Sequence, residues 1–168
     1  MLYDLEDILT YKDATFLSAL LDSGQEEFVV FGALLAGRLK IESLRSRIGG
    51  LLKSSNDESI KFHCIVGLGN LANPDSRQIV LSYLNHPSPA IRRAAIEAAG
   101  KIGGQEIVAP LKATYTSETD IGQRIAIITS ISRLSNKEAV KEALQGFLSM
   151  ESDPLVASIL RRQVNAGN

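Results

Sequence analysis

A stretch that recurs about every thirty residues leaves a chain few folds to choose from, since each copy must meet the next in the same way. Residues 57–72 lie over residues 88–103 without a gap. Ile60 falls on Ile91, Lys61 on Arg92, Ile65 on Ile96, Gly69 on Gly100 and Leu71 on Ile102, an offset of 31. A third copy follows at an offset of 32, with Arg124 over Arg92, Ala126 over Ala94, Ile128 over Ile96 and Leu134 over Ile102. Upstream, Gly37 and Leu39 stand 32 residues before Gly69 and Leu71. Near the C-terminus, Ser152-Asp153-Pro154-Leu155-Val156 restarts the pattern opened by Ser88-Pro89. A unit this short cannot bury its own apolar face and is stable only when stacked on its neighbours.

Each copy reads as two helices. In the first, Ile91, Ala94, Ala95, Ala98, Ala99 and Ile102 recur at spacings of three and four, the period of one helix face. Ser88 suits the N-cap, and Pro89 the first turn, where its missing amide would go unpaired anyway. Gly103-Gly104 supplies the left-handed conformation that ends this helix, and Asn73-Pro74 stops its predecessor. The second helices carry Leu44, Ile48 and Leu51; Val80, Leu81 and Leu84; Ile107 and Leu111; and Val140, Leu144, Phe147 and Leu148. The run of alanines lets neighbouring helices approach closely while Leu and Ile fill the grooves.

The expected fold is therefore all-α: a right-handed α-α superhelix, a short α-solenoid of about four helical hairpins with capping helices at its ends. It forms one domain over residues 1–168, with an N-terminal cap at 1–24, repeats at 25–55, 56–87, 88–118 and 119–151, and a capping helix and tail at 152–168. The amphipathic segment from Leu5 to Leu21 supplies the first cap. The last helix is expected from Pro154 to about Gln163, with residues 165–168 frayed.

Composition narrows the function. Eighteen basic and 19 acidic residues give a net charge of −1, which sets up no overall field for a polyanion or a membrane surface. Aromatics make up 5% and Trp is absent, a poor supply of platforms for stacking bases. Cys64 is the one cysteine and there are two histidines, so neither a disulfide nor a structural zinc site has material. Met1-Leu2-Tyr3-Asp4-Leu5-Glu6-Asp7 is acidic where a signal peptide is basic, and no apolar run approaches the roughly 20 residues of a membrane span. The expected location is the cytoplasm.

With its basic residue Arg92, its Ser/Pro helix start and the run Ala94-Ala95-Ile96-Glu97-Ala98-Ala99-Gly100-Lys101-Ile102-Gly103, the sequence resembles the HEAT-like repeats named for the phycobilisome lyases. Glu106-Ile107-Val108-Ala109-Pro110-Leu111 fits the second helix of that repeat, and the likeness spans about residues 25 to 150. The resemblance implies a curved superhelix whose second helices line a concave side that grips a protein partner. It also implies that some relatives attach or detach bilin chromophores, although no short catalytic motif of theirs can be matched to residues here.

The remaining motifs have structural readings. Gly67-Leu68-Gly69-Asn70-Leu71-Ala72 fits a dinucleotide-binding pattern, but a phosphate-binding helix should begin in those glycines and Pro74 follows almost at once. Their register places them at the end of a first helix, and no cofactor is assigned. His63 and Cys64 align with Ala94 and Ala95, which marks a core thiol and a partly buried imidazole rather than a nucleophile and its base. His86 sits in a turn. Lys61, Arg92 and Arg124 share one position of the repeat, where a basic residue would tie neighbours together through a carboxylate or a helix-end carbonyl.

No catalytic, metal or cofactor residue is assigned, and the expected function is a non-enzymatic scaffold or adaptor. Its partner-binding residues are taken to be Arg45, Arg77, Gln78, Lys112, Lys141 and Gln145 on the second helices, with Tyr83 nearby, forming a mildly basic stripe. A phycobiliprotein bilin lyase or phycobilisome-degradation factor is the second reading, and a HEAT-like nucleic-acid binder the third. The partner is expected to be a protein, self-association through a solenoid end remains open, and neither a membrane nor nucleic acid is expected.

Overall fold

The computed structural model describes residues 14–166. It contains ten α-helices and no strand among those residues: α1 Ala14–Leu21, α2 Glu26–Arg38, α3 Arg45–Ser54, α4 Glu58–Leu71, α5 Arg77–Leu81, α6 Pro89–Ile102, α7 Val108–Ser117, α8 Ile121–Ser132, α9 Lys137–Met150 and α10 Pro154–Ala166. The first helices α2, α4, α6, α8 and α10 pack each on the next, and α3, α5, α7 and α9 form a second row behind them. α1 packs against α2 and the turn that leads into α3. The chain is thus an all-α solenoid of stacked hairpins. The part of the expected N-terminal cap before residue 14 lies outside the described residues. α10 continues to Ala166, past the Gln163 at which it was expected to stop.

Local chemistry sets where the first helices begin. Asp57 and Asp120 occupy N-caps and accept bonds from the amides of Ile60 and Gln123 at 2.9 and 2.8 Å. Asp153 does the same for Leu155 and Val156 at the head of α10. Each bond satisfies an amide that the helix itself leaves unpaired. Ser88 also stands at its N-cap, but its side chain makes no capping bond, and Pro89 alone presets that start. At the other end Lys40, Ala72 and Gly103 take φ of 58°, 58° and 71° at matching places in three successive repeats. Glycine is therefore not required at this turn in the first two of these repeats, whereas Gly103, with ψ −160°, takes a conformation open essentially to glycine alone. Two side-chain-bearing residues accept a left-handed conformation that costs a non-glycine residue about 1–2 kcal/mol.

Glycines instead mark where the first helices touch. An added Cβ at Gly37 would lie 2.6 Å from the Gly67 carbonyl oxygen, and one at Gly67 would lie 2.5 Å from that of Ala33. At Gly69 it would meet Ala98 Cβ at 2.6 Å and Cα at 2.7 Å, and at Gly100 it would meet Ser130 Cβ at 2.6 Å. The contact therefore repeats along the row: 37 on 67, 69 on 98 and 100 on 130. The dinucleotide-like pattern at Gly67 and Gly69 is this packing. Both glycines are buried inside α4, and neither amide stands free at a helix start.

The core runs between the two rows. Leu44, Ile48 and Leu52 are buried at every fourth position, as are Ile107, Leu111 and Tyr115. Leu52, not the expected Leu51, is the fully buried leucine of α3; Leu51, Leu81 and Leu148 are half-buried and flank the core. Tyr115 stacks on Phe147 with ring centroids 4.0 Å apart. No helix among the described residues is long and apolar enough to cross a membrane.

Candidate partner-binding face

The second helices present the residues expected to meet a partner, and the structure divides them. Arg45, at the head of α3, pairs with Asp75 at 3.1 Å. Arg77, at the head of α5, pairs with Glu106 at 3.0 Å and donates from Nε to the Gly103 carbonyl at 2.9 Å. Each arginine therefore reaches the turn of the following repeat, and Arg77, with a side chain only 17% exposed, is partly a stacking residue. Tyr83 is also occupied: its hydroxyl donates to the Leu52 carbonyl at 2.8 Å, and burial raises its pKa. Gln78 and Gln145 are exposed, whereas Lys112 and Lys141 are half-buried.

The six residues do not form one continuous stripe. Arg45 and Gln78 line an open groove between α3 and α5. Arg77 and Gln78 line a second groove with Glu106 and Pro110, between α5 and the start of α7. Lys141 lines a cleft with Lys137 on α9 and Gln163 on α10. The face is a series of furrows, two between neighbouring second helices and one between α9 and α10, and carboxylates stand among the cations of the mildly basic stripe that was expected.

The shared basic position on the first helices is a stitch. Arg92 donates to the carbonyls of His86 and Pro87, both at 3.1 Å, and pairs with the buried Glu118 at 3.4 Å. One repeat on, Arg124 donates to the Glu118 carbonyl at 2.8 Å and to the Glu151 carboxylate at 3.0 Å. Each guanidinium thus ties one first helix to the ends of two second helices. The Glu151 side chain is fully buried and also accepts from the Tyr115 hydroxyl and the Asp153 amide. Burial alone would raise the Glu151 pKa. The bonds from Tyr115 and Asp153, with the charge of Arg124, outweigh it and hold the carboxyl below its ordinary range. Burial and the bond to Glu151 raise the Tyr115 pKa in turn. Lys61 shares the position but has no carboxylate within ion-pair distance among the described residues.

A family profile for HEAT repeats matches residues 47–132, half of the chain. This is a HEAT-repeat protein. The match is to HEAT repeats as such and does not single out the phycobilisome-lyase group. HEAT repeats generally mediate protein–protein interaction. No curated protein matches the chain.

Within this HEAT-repeat array the reactive side chains are engaged in packing. Cys64 is fully buried, which pushes its thiol pKa up to about 12 and keeps it from acting as a nucleophile beside His63. His63 makes a 2.7 Å bond from Nδ1 with the Ser59 carbonyl, and His86 Nδ1 accepts from the Ser88 amide at 3.2 Å. No cluster of three metal-ligating side chains occurs among the described residues. Two features of the second-helix face were absent from the sequence reading. The carboxylates facing Arg45 and Arg77 recur 31 residues apart, at Asp75 and Glu106, a signal that was present. The burial of Ser76, 1% exposed and with an unpaired Oγ, had no signal at all.

Proposed function

We propose that this HEAT-repeat protein is a non-catalytic scaffold that binds a protein partner along the face of its second helices. The observation that carries the reading is the asymmetry between the two rows. The first helices are locked together by glycines with no room for a methyl group, whereas the second helices leave open furrows lined by exposed or ion-paired polar side chains. A rigid row backing a furrowed row suits recognition of an extended surface. Gln78 and Gln145 are its most exposed polar contacts, with Lys112 half-buried on α7 and Lys141 half-buried beside α10; Arg45 and Arg77 contribute what their inter-repeat pairs leave over.

The experiment is affinity capture from the source cells, followed by binding measurements with the purified partner. The double variant Gln78→Glu and Lys112→Glu should weaken binding by about tenfold. Glu97→Lys, on the exposed side of the first row, should leave it unchanged. Equal affinity of the wild type and the double variant, or a loss caused by Glu97→Lys, would overturn the assignment of the face.

A further inference from the structure

The groove between α3 and α5 holds two features that stacking does not explain. The first is Gly49-Gly50 in the middle of α3. A Cβ at Gly50 would meet nothing within 4 Å, and one at Gly49 only Ile79 Cδ1 at 3.7 Å. Mid-helix glycine costs about 0.5–1 kcal/mol relative to alanine, and here, unlike at Gly37, Gly67, Gly69 and Gly100, no neighbouring helix demands it. What a bare helix surface does allow is close approach by another backbone. The second feature is Ser76, which lines the same groove. It is 1% exposed and its hydroxyl has no hydrogen-bond partner. A buried hydroxyl of this kind calls for an acceptor.

The charges around the groove select the ligand. Arg45 and Lys53 stand on its α3 wall, and Asp75 answers Arg45 alone. Lys53 is exposed and has no carboxylate within ion-pair distance among the described residues. α3 itself carries Arg45, Arg47 and Lys53 with no acidic residue, and Arg47 is taken up by Asp22. One positive charge is left over, beside the exposed amide of Gln78, which can both donate to and accept from a peptide bond. At about 390 Å³ the groove is the size of a small-ligand cleft, room for a short stretch of chain.

We propose that this groove binds an acidic, extended peptide segment of a protein partner. The segment's backbone crosses Gly49-Gly50, a carboxylate meets Lys53, and an acceptor on the segment takes the Ser76 hydroxyl. The proposal rests on the second-helix face being the partner face and adds the chemistry of what it recognises there.

The test is an amide NMR titration of the full chain with a blocked peptide of alternating Gly and Glu, and with its Gly/Gln counterpart. The Glu peptide should move the amides of Gly49, Gly50, Lys53 and Ser76, and the Gln peptide should bind about tenfold more weakly. Lys53→Gln should remove that preference. Gly50→Leu, which fills open space and so leaves the fold intact, should abolish the shifts. Ser76→Ala should weaken binding without lowering thermal stability, which a purely structural serine would not do. No shift at Gly49 and Gly50 with the Glu peptide, or shifts indifferent to Lys53→Gln and Gly50→Leu, overturns the proposal. A captured partner that binds the Gly50→Leu and Lys53→Gln variants as tightly as wild type also sinks it, while the scaffold reading survives. Peptide shifts at the groove without any partner on the second-helix face would do the reverse.

Discussion

Replacing Gly69 by alanine puts the helix-stacking account at risk most simply. The new Cβ would lie 2.6 Å from Ala98 Cβ and 2.7 Å from Ala98 Cα, whereas carbon atoms pack at about 3.5–4.0 Å. The overlap is about 1 Å, and part of it is with main chain, so no rotamer change relieves it; α4 and α6 must separate. Overpacking of this kind costs typically 1–3 kcal/mol. Because the clash includes main chain, the upper part of that range, about 2–3 kcal/mol, applies; the better helix propensity of alanine returns up to about 1 kcal/mol, so the net loss should be about 1–2 kcal/mol. For a chain of this length that lowers Tm by roughly 2–8 °C. Gly50→Ala is the internal control. It gains the same propensity and meets nothing within 4 Å, so it should be more stable by about 0.5–1 kcal/mol. Urea unfolding followed by far-UV circular dichroism measures both, with the slope checked for constancy. A Gly69→Ala protein as stable as wild type would refute the claim that the first-helix glycines are there for contact.

Four further outcomes follow from the same structure. Arg124→Ala leaves the fully buried Glu151 carboxylate without its cation and should cost about 3–5 kcal/mol in a denaturation experiment, more than any exposed arginine does. Glu151 has a lowered folded-state pKa, so its stabilisation is complete above the ordinary value of 4.5 and is lost as pH falls through the folded value. Stability measured against pH should therefore drop in that acidic window, and less so in Glu151→Gln. Gln123 is 3% exposed, bonds the Pro89 carbonyl with Nε2 and leaves Oε1 unpaired where earlier repeats place Ile60 and Ile91. Gln123→Ile should raise stability by about 1 kcal/mol by thermal denaturation. Cys64, buried and with its thiol at about 12, should resist thiol reagents at mildly alkaline pH until the protein unfolds globally.

Much of the architecture was legible because apolar period and repeat offset report the same contacts. Ala94, Ala98 and Gly100 are small in sequence for the reason they are buried in the structure: a neighbouring first helix lies against them. The arginine stitch was legible in kind, since a basic residue at one place in successive repeats needs an answering group. Its partners were harder to see. Glu118 and Glu151 lie 33 residues apart, one step out of register with Arg92 and Arg124, because the repeat that starts at Ile121 is one residue longer than the repeat that starts at Pro89. The binding face was the least legible part. Arg45 and Arg77 look like free cations in a sequence, and only the superposition of one repeat's helix on the next repeat's turn brings Asp75 and Glu106 within reach. Lys40 and Ala72 likewise hide their left-handed backbone, which composition associates with glycine.

Hydrogen–deuterium exchange of the free protein and of its complex with the captured partner tests the division of labour between the two rows directly. Added protection should fall on α3, α5 and α7, with α4, α6 and α8 unchanged between the two states. Protection concentrated on the first helices, with the α3–α5 furrow as open in the complex as in the free chain, would contradict the account.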